Sequence, residues 1–284
     1  MGESFGERVA GRLAGRGPLC VGIDPSSELV EGWGLPDTPA GLERFCGGVL
    51  DAVGDVAAVV KPQSAFFERF GSKGIAVLEQ VIGRAREMGA VVILDVKRGD
   101  VGSTTAAYAQ AYLDRRSPLA ADAVTASPYL GLGSLRPMID TALENDAGVF
   151  VLARTSNPEG ADVQLAVGPT GRSVADEIID GVAQINAGAA GPGSIGVVLG
   201  ATLSGLEGAA LRVNGPVLAP GVGAQGAGPD DVRRVFGRAS GRVIPSASRA
   251  LLATGPDRLR SETMRLVSEC RVSLADPGRA AANV

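Results

Sequence analysis

Short apolar runs recur along the chain at residues 19–23, 56–60, 90–94, 121–124, 148–152, 195–199, 216–218 and 241–244. Their brevity and β-branched content predict buried strands. The stretches between them, 41–53, 74–88, 105–113, 132–143, 173–186, 203–211, 229–236 and 256–272, carry the spacing of amphipathic helices. Strands alternating with helices eight times predict an α/β fold of the (β/α)8 TIM-barrel type. A doubly wound sheet is the alternative, but no G-x-G-x-x-G opens a helix after the first strand. No linker, charge block or low-complexity tract interrupts residues 1–284, so one barrel domain is expected, with roughly 15 N-terminal and 10 C-terminal residues peripheral to it.

In such a barrel, sites are built where strands end at their carboxyl side. Polar and charged residues appear at those places. The first predicted strand ends in Asp24, the second in Lys61 and the third in Asp95-Val96-Lys97-Arg98-Gly99-Asp100. Residues two apart on a strand point the same way, so Asp95 and Lys97 share a face, with Asp100 in the turn beyond. A strand-end ion pair, with Asp100 or Ser103 capping the next helix, would explain an isolated D-x-K-x-x-D. Asp, Lys and Asp-x-Lys at three successive strand ends favour a site. Later ends deliver Thr125, Arg154-Thr155-Ser156-Asn157, Pro220 with a glycine-rich loop through Gln225, and Ser248-Arg249.

Composition narrows the chemistry. The chain has no histidine among its 284 residues, which excludes Ser-His-Asp and Cys-His catalysis and moves proton transfer onto Lys, Asp, Glu, Tyr or Cys. A net charge of −4 and a pI near 5.1 argue against a nucleic-acid surface and favour a small-molecule partner. Cys20, Cys46 and Cys270 are far apart and form no C-x-x-C, as expected of reduced thiols. Residues 1–17 lack the apolar core of a secretory signal, and no run approaches membrane-spanning length, so a cytoplasmic location is expected.

The ordered set Gly22-Ile23-Asp24, Val60-Lys61-Pro62-Gln63-Ser64, Asp95-Val96-Lys97-Arg98-Gly99-Asp100-Val101-Gly102-Ser103-Thr104, Arg154-Thr155-Ser156-Asn157-Pro158, Ala219-Pro220-Gly221-Val222-Gly223-Ala224-Gln225-Gly226 and Ser248-Arg249-Ala250 resembles the orotidine 5′-phosphate decarboxylases, in particular their longer bacterial subgroup. The resemblance covers almost the whole chain; Val101 departs from it, where the family more often has isoleucine. It implies a cofactor-free, homodimeric decarboxylase that converts orotidine 5′-monophosphate to uridine 5′-monophosphate and CO2 in pyrimidine biosynthesis, with no metal. On that reading Lys61, Asp95, Lys97 and Asp100 form the catalytic charge array, and Asp100 is supplied by the partner subunit. Asp24 holds the ribose hydroxyls, and Thr104 lines the partner's ribose pocket. Ser156 bonds the pyrimidine and Pro220 packs beside it, while Gln225, Ser248 and Arg249 take the phosphate.

Removing CO2 from C6 of the pyrimidine leaves a carbanion with no adjacent carbonyl, so fixed charge must stabilise it. A lysine and an aspartate about 4 Å apart interact by roughly 4 kcal/mol at an effective dielectric near 20. An ammonium held that way can stabilise the carbanion and protonate it. Three other readings compete. Magnesium-dependent sugar-phosphate barrels share D-x-K-x-x-D but end the second strand in a carboxylate, where this chain has Lys61. A Schiff-base lysine needs a neutral amine, which flanking aspartates oppose. A non-catalytic nucleotide binder would not need the charged positions.

Overall fold

The computed structural model describes residues 2–223 and 226–275. Eight parallel strands close into a barrel in sequence order: β1 (Cys20–Ile23), β2 (Val59–Pro62), β3 (Val91–Arg98), β4 (Ala123–Ala126), β5 (Gly148–Arg154), β6 (Ile195–Leu199), β7 (Val217–Val222) and β8 (Val243–Ala247). Closure comes from β1 pairing with β8, Cys20 opposite Ser246 and Val21 opposite Ala247. The predicted TIM barrel is therefore the fold. Most strands lie further toward the C-terminus than hydropathy places them. β2 runs to Pro62, β3 to Arg98 and β7 to Val222, because pairing with the neighbouring strands continues past the apolar run, through Lys61 on β2, Asp95 to Arg98 on β3 and Pro220-Gly221 on β7.

Outward-facing strand residues such as Val60, Val92, Val124 and Val197 pack with helix residues including Leu42, Leu78, Ile139 and Ile179 into a continuous outer core. The ring of helices includes Pro39–Val53, Gly71–Glu87, Gly102–Leu113, Val174–Asn186 and Pro256–Ser273. No helix among the described residues is long and apolar enough to cross a membrane.

Inward-facing residues form a second core that fills the lower barrel: Cys20, Val59, Val91, Ile93, Ala123, Phe150, Val198, Leu218 and Ile244. The N-terminal segment belongs to this core, which corrects the expectation that it is peripheral. Helix Phe5–Arg16 starts at a capping box, with Ser4 and Glu7 satisfying each other's backbone N–H groups. Its Phe5, Val9 and Leu13 lie on one face and close the barrel floor. Phe5 meets Phe150 edge to face at 6.1 Å, and a Cβ on Gly148 would lie 2.3 Å from the Phe5 ring, so glycine at the foot of β5 makes room for the plug. Arg16 fastens the helix end by donating to the carbonyls of Gly54, Ala57 and Met88. The expectation of a frayed C-terminal tail falls mostly on residues 276–284, outside those described.

Candidate active site

Above the apolar floor the next inward positions on β2, β3, β4 and β8 become polar. On β2 the inward residue after Val59 is Lys61, and on β3 the inward residue after Ile93 is Asp95. They meet inside the barrel: Lys61 Nζ donates to Asp95 Oδ2 at 2.8 Å, and both residues are buried. Lys97 Nζ donates to the other oxygen, Asp95 Oδ1, at 2.6 Å. The Thr125 hydroxyl also donates to Oδ1, at 2.7 Å. One buried carboxylate thus holds two ammonium groups.

Burial opposes a charge on Asp95, but Lys61 and Lys97 outweigh it and hold the carboxyl well below the usual carboxylate range. Burial equally opposes a charge on Lys61, where Asp95 and then Asp24 win and hold the ammonium above the ordinary lysine range. In the layer below, burial pushes the Cys20 thiol up to about 12, which disfavours its thiolate.

The two lysines differ in access. The Lys61 side chain is 8% exposed, whereas that of Lys97 is 47% exposed and reaches into the open part of the site. Its position requires an irregular backbone. The β3–β4 register shifts between Leu94 and Arg98, and Lys97 adopts φ +45°, a left-handed conformation that costs a non-glycine residue roughly 1–3 kcal/mol. Simple alternation along a straight strand put Asp95 and Lys97 on one face; a bulge at the strand end brings them into contact.

A cavity of about 300 Å³ opens above this cluster at the carboxyl ends of the strands. Of the residues singled out by sequence, Asp24, Lys61, Asp95, Lys97, Ser156, Pro220, Ser248 and Arg249 line it. Asp24 Oδ2 accepts from Ser248 Oγ at 2.5 Å, while Asp24 Oδ1 is buried with no hydrogen-bond partner among the described residues. A Cβ on Gly22 would lie 2.6 Å from that of Ser248, so glycine permits this closure of β1 onto the end of β8. Arg249 sits exposed at the rim.

Asp100 and Thr104 are not among the cavity residues of their own chain. Asp100 Oδ1 accepts from the Val101 N–H at 2.7 Å, and Thr104 lies exposed on the first turn of helix Gly102–Leu113. Neither Asp100 nor Ser103 caps that helix, whose N-cap is Val101. Gln225 lies outside the described residues. The cavity also takes in Leu152, Thr155, Asn157, Val198, Gly200, Val222 and Ser246, to which the sequence assigned no role. Thr125, equally unassigned, touches the charge cluster from beneath. A lone threonine in an apolar strand carries no signal of such a contact.

The family model for orotidine 5′-phosphate decarboxylase / HUMPS matches residues 17–263. An orotidine 5′-phosphate decarboxylase from Salinispora tropica is 57% identical over 274 residues, covering 96% of this chain and 99% of the relative. One from Streptomyces coelicolor is 54% identical with the same coverage. Among solved structures, a candidate orotidine 5′-phosphate decarboxylase from Streptomyces avermitilis superposes with a TM-score of 0.93 at 54% identity, covering 96% of both chains. The OMP decarboxylase of Leishmania donovani gives a TM-score of 0.76 at 33% identity, covering 95% of this chain and 99% of that one. On the family match and on relatives aligned over nearly their full length, the chain belongs to the orotidine 5′-phosphate decarboxylase / HUMPS family.

Proposed function

We propose that this chain decarboxylates orotidine 5′-monophosphate to uridine 5′-monophosphate and CO2, the closing step of pyrimidine nucleotide synthesis, without a metal or organic cofactor. The observation that carries the reading is the Asp95 carboxylate with a lysine ammonium on each oxygen, 2.8 and 2.6 Å away, at the base of the cavity.

Lys97 is the group that reaches the substrate. It is the more open of the two lysines, and on this reading its ammonium faces C6, where negative charge develops as CO2 leaves. Being fixed before the reaction, it stabilises that charge with little reorganisation, then delivers its proton to C6. Asp95 anchors Lys97, and Lys61 supplies the charge that lets a buried carboxylate stay ionised. Asp24 Oδ1, which lacks a partner within the described chain, fits a ribose hydroxyl. Ser156 and Pro220 border the space for the pyrimidine, and Arg249 at the rim suits the phosphate, with Ser248 beside it. Phosphate binding far from C6 aids the reaction by favouring a closed site.

The placement of Asp100 and Thr104 outside their own cavity supports a homodimer in which each chain completes its partner's site. At the same end of the barrel Val101, Tyr129 and Leu130 are 59, 78 and 52% exposed, an apolar surface of the kind a second copy covers. Mixing a Lys97→Ala chain with an Asp100→Ala chain should restore activity through one intact site per mixed dimer. Two inactive parents whose mixture stays inactive would sink the shared site.

The second reading within the family is a magnesium-dependent sugar-phosphate enzyme. A divalent cation at Asp95 would have to displace two ammonium groups, which favours the decarboxylase. The test is the ultraviolet absorbance of orotidine 5′-monophosphate followed with enzyme in excess EDTA and again with magnesium. Loss of the orotate chromophore at equal rates is expected; no loss in either would withdraw the substrate.

A further inference from the structure

The bulge that places Lys97 leaves a gap in the β3–β4 ladder. Leu94 pairs with Val124 and Arg98 with Ala126, so Asp95, Val96 and Lys97 all face Thr125 alone. Backbone pairing cannot serve three residues with one, and the N–H of Lys97 loses its ladder partner. The Thr125 side chain takes that role: its Oγ1 accepts from Lys97 N at 2.9 Å. The same hydroxyl has one proton, and it donates that proton to Asp95 Oδ1 at 2.7 Å. Lys97 Nζ closes the loop by donating to the same oxygen at 2.6 Å.

We propose that Thr125 is a positioning residue for the decarboxylation, its hydroxyl locking the left-handed backbone of Lys97 and the carboxylate that holds the Lys97 ammonium into one arrangement. This rests on the decarboxylase reading above. Thr125 is buried at 1% exposure and is not among the residues lining the cavity, so it acts through Asp95 and Lys97 rather than on the substrate. Both hydrogen-bonding capacities of the hydroxyl are used in fixed directions. Acceptance from a backbone N–H orients its own proton toward the carboxylate, which, being ionised, can only accept. Valine has the same shape but offers neither, leaving the Lys97 N–H without an acceptor and Asp95 Oδ1 with one donor fewer.

The consequence is confined to the chemical step. Ground-state contacts with the nucleotide are made by other residues, so KM should hold while kcat falls. The test compares Thr125→Val, Thr125→Ala and Thr125→Ser with the parent, all assayed on orotidine 5′-monophosphate and checked for folding by circular dichroism and melting temperature. Thr125→Val and Thr125→Ala are expected to lose roughly 10- to 100-fold in kcat with KM within about threefold, and Thr125→Ser, which restores only the hydroxyl, to stay within about threefold of the parent in both. Parent-like kcat in a folded Thr125→Val or Thr125→Ala would overturn the inference. So would equal losses in Thr125→Ser and Thr125→Ala, which would assign the effect to packing. If valine prevents folding, the alanine and serine pair decides alone. A parent enzyme that leaves the nucleotide unchanged would overturn the decarboxylase reading instead, a result separable from any outcome among the variants.

Discussion

The floor and the mouth of this barrel are made by the same strands, and on four of them one inward step separates an apolar residue from a polar one. Val59 gives way to Lys61 on β2, Ile93 to Asp95 on β3, Ala123 to Thr125 on β4 and Ile244 to Ser246 on β8. The floor is sealed by Phe5 and closed by hydrophobic burial, which is non-directional and tolerates near-isosteric change. The mouth is held by directed hydrogen bonds among charged groups, where losing one partner leaves another uncompensated. Stability is concentrated below and chemistry above, within one continuous framework. That separation predicts that substitutions in the two layers have different signatures.

The largest divergence is expected at Asp95. Asp95→Asn removes the anion that compensates both lysines, so turnover should fall by at least about 10³-fold. It should also cost roughly 3–5 kcal/mol of stability by stranding the buried charge of Lys61. The pH dependence of that cost is fixed in sign. Because the Asp95 carboxyl is held below its ordinary range, its contribution is complete above about pH 4, the unfolded value, and is lost as pH falls further toward the folded one. The melting-temperature gap between the parent and Asp95→Asn should therefore narrow below about pH 4. A gap that stayed constant from pH 7 to pH 3 would contradict the depressed carboxyl.

Phe5→Ala sharpens the contrast from the other side. It should destabilise by about 3–5 kcal/mol, seen as a lower denaturation midpoint, while kcat per folded molecule stays within about twofold. A large loss of kcat at full folding would show that floor and mouth are coupled. Arg249→Ala should leave stability nearly unchanged and raise KM for the nucleotide roughly 10- to 100-fold, the worth of a charge-assisted phosphate contact. The smallest effect is expected on the stability of that variant, since Arg249 is exposed at the rim.

The same division explains what could be seen in the sequence. Hydropathy found all eight strands, but it marked their lower, apolar parts. β3 was expected to stop at residue 94 and continues to Arg98, and β8 was expected at 241–244 and spans Val243–Ala247. Charged residues at strand tops look like loop because the polar cavity they face is invisible to a one-dimensional pattern. Lys61 and Asp95 were legible as candidates, since charge at the end of a buried strand is costly without a purpose. Their mutual contact was implied by the family resemblance alone, because hydropathy and spacing carry no information on barrel curvature. Nor were the left-handed backbone at Lys97 and the part of Thr125, both products of a bulge that appears only when β3 and β4 are paired. Helix Phe5–Arg16 had a readable signature in Ser4-x-x-Glu7 with apolar Phe5, Val9 and Leu13, but its burial follows from the open barrel floor, a tertiary feature.

The most direct test of catalysis by fixed charge is the turnover of orotidine 5′-monophosphate by Lys97→Ala beside the parent enzyme in excess EDTA, with nucleotide affinity measured by calorimetry on both. Retained folding and affinity within about tenfold, together with turnover reduced by at least about 10⁴-fold, are the predicted result. Turnover within tenfold of the parent would mean that Lys97 is not the proton donor and that the charge cluster on Asp95 is structural.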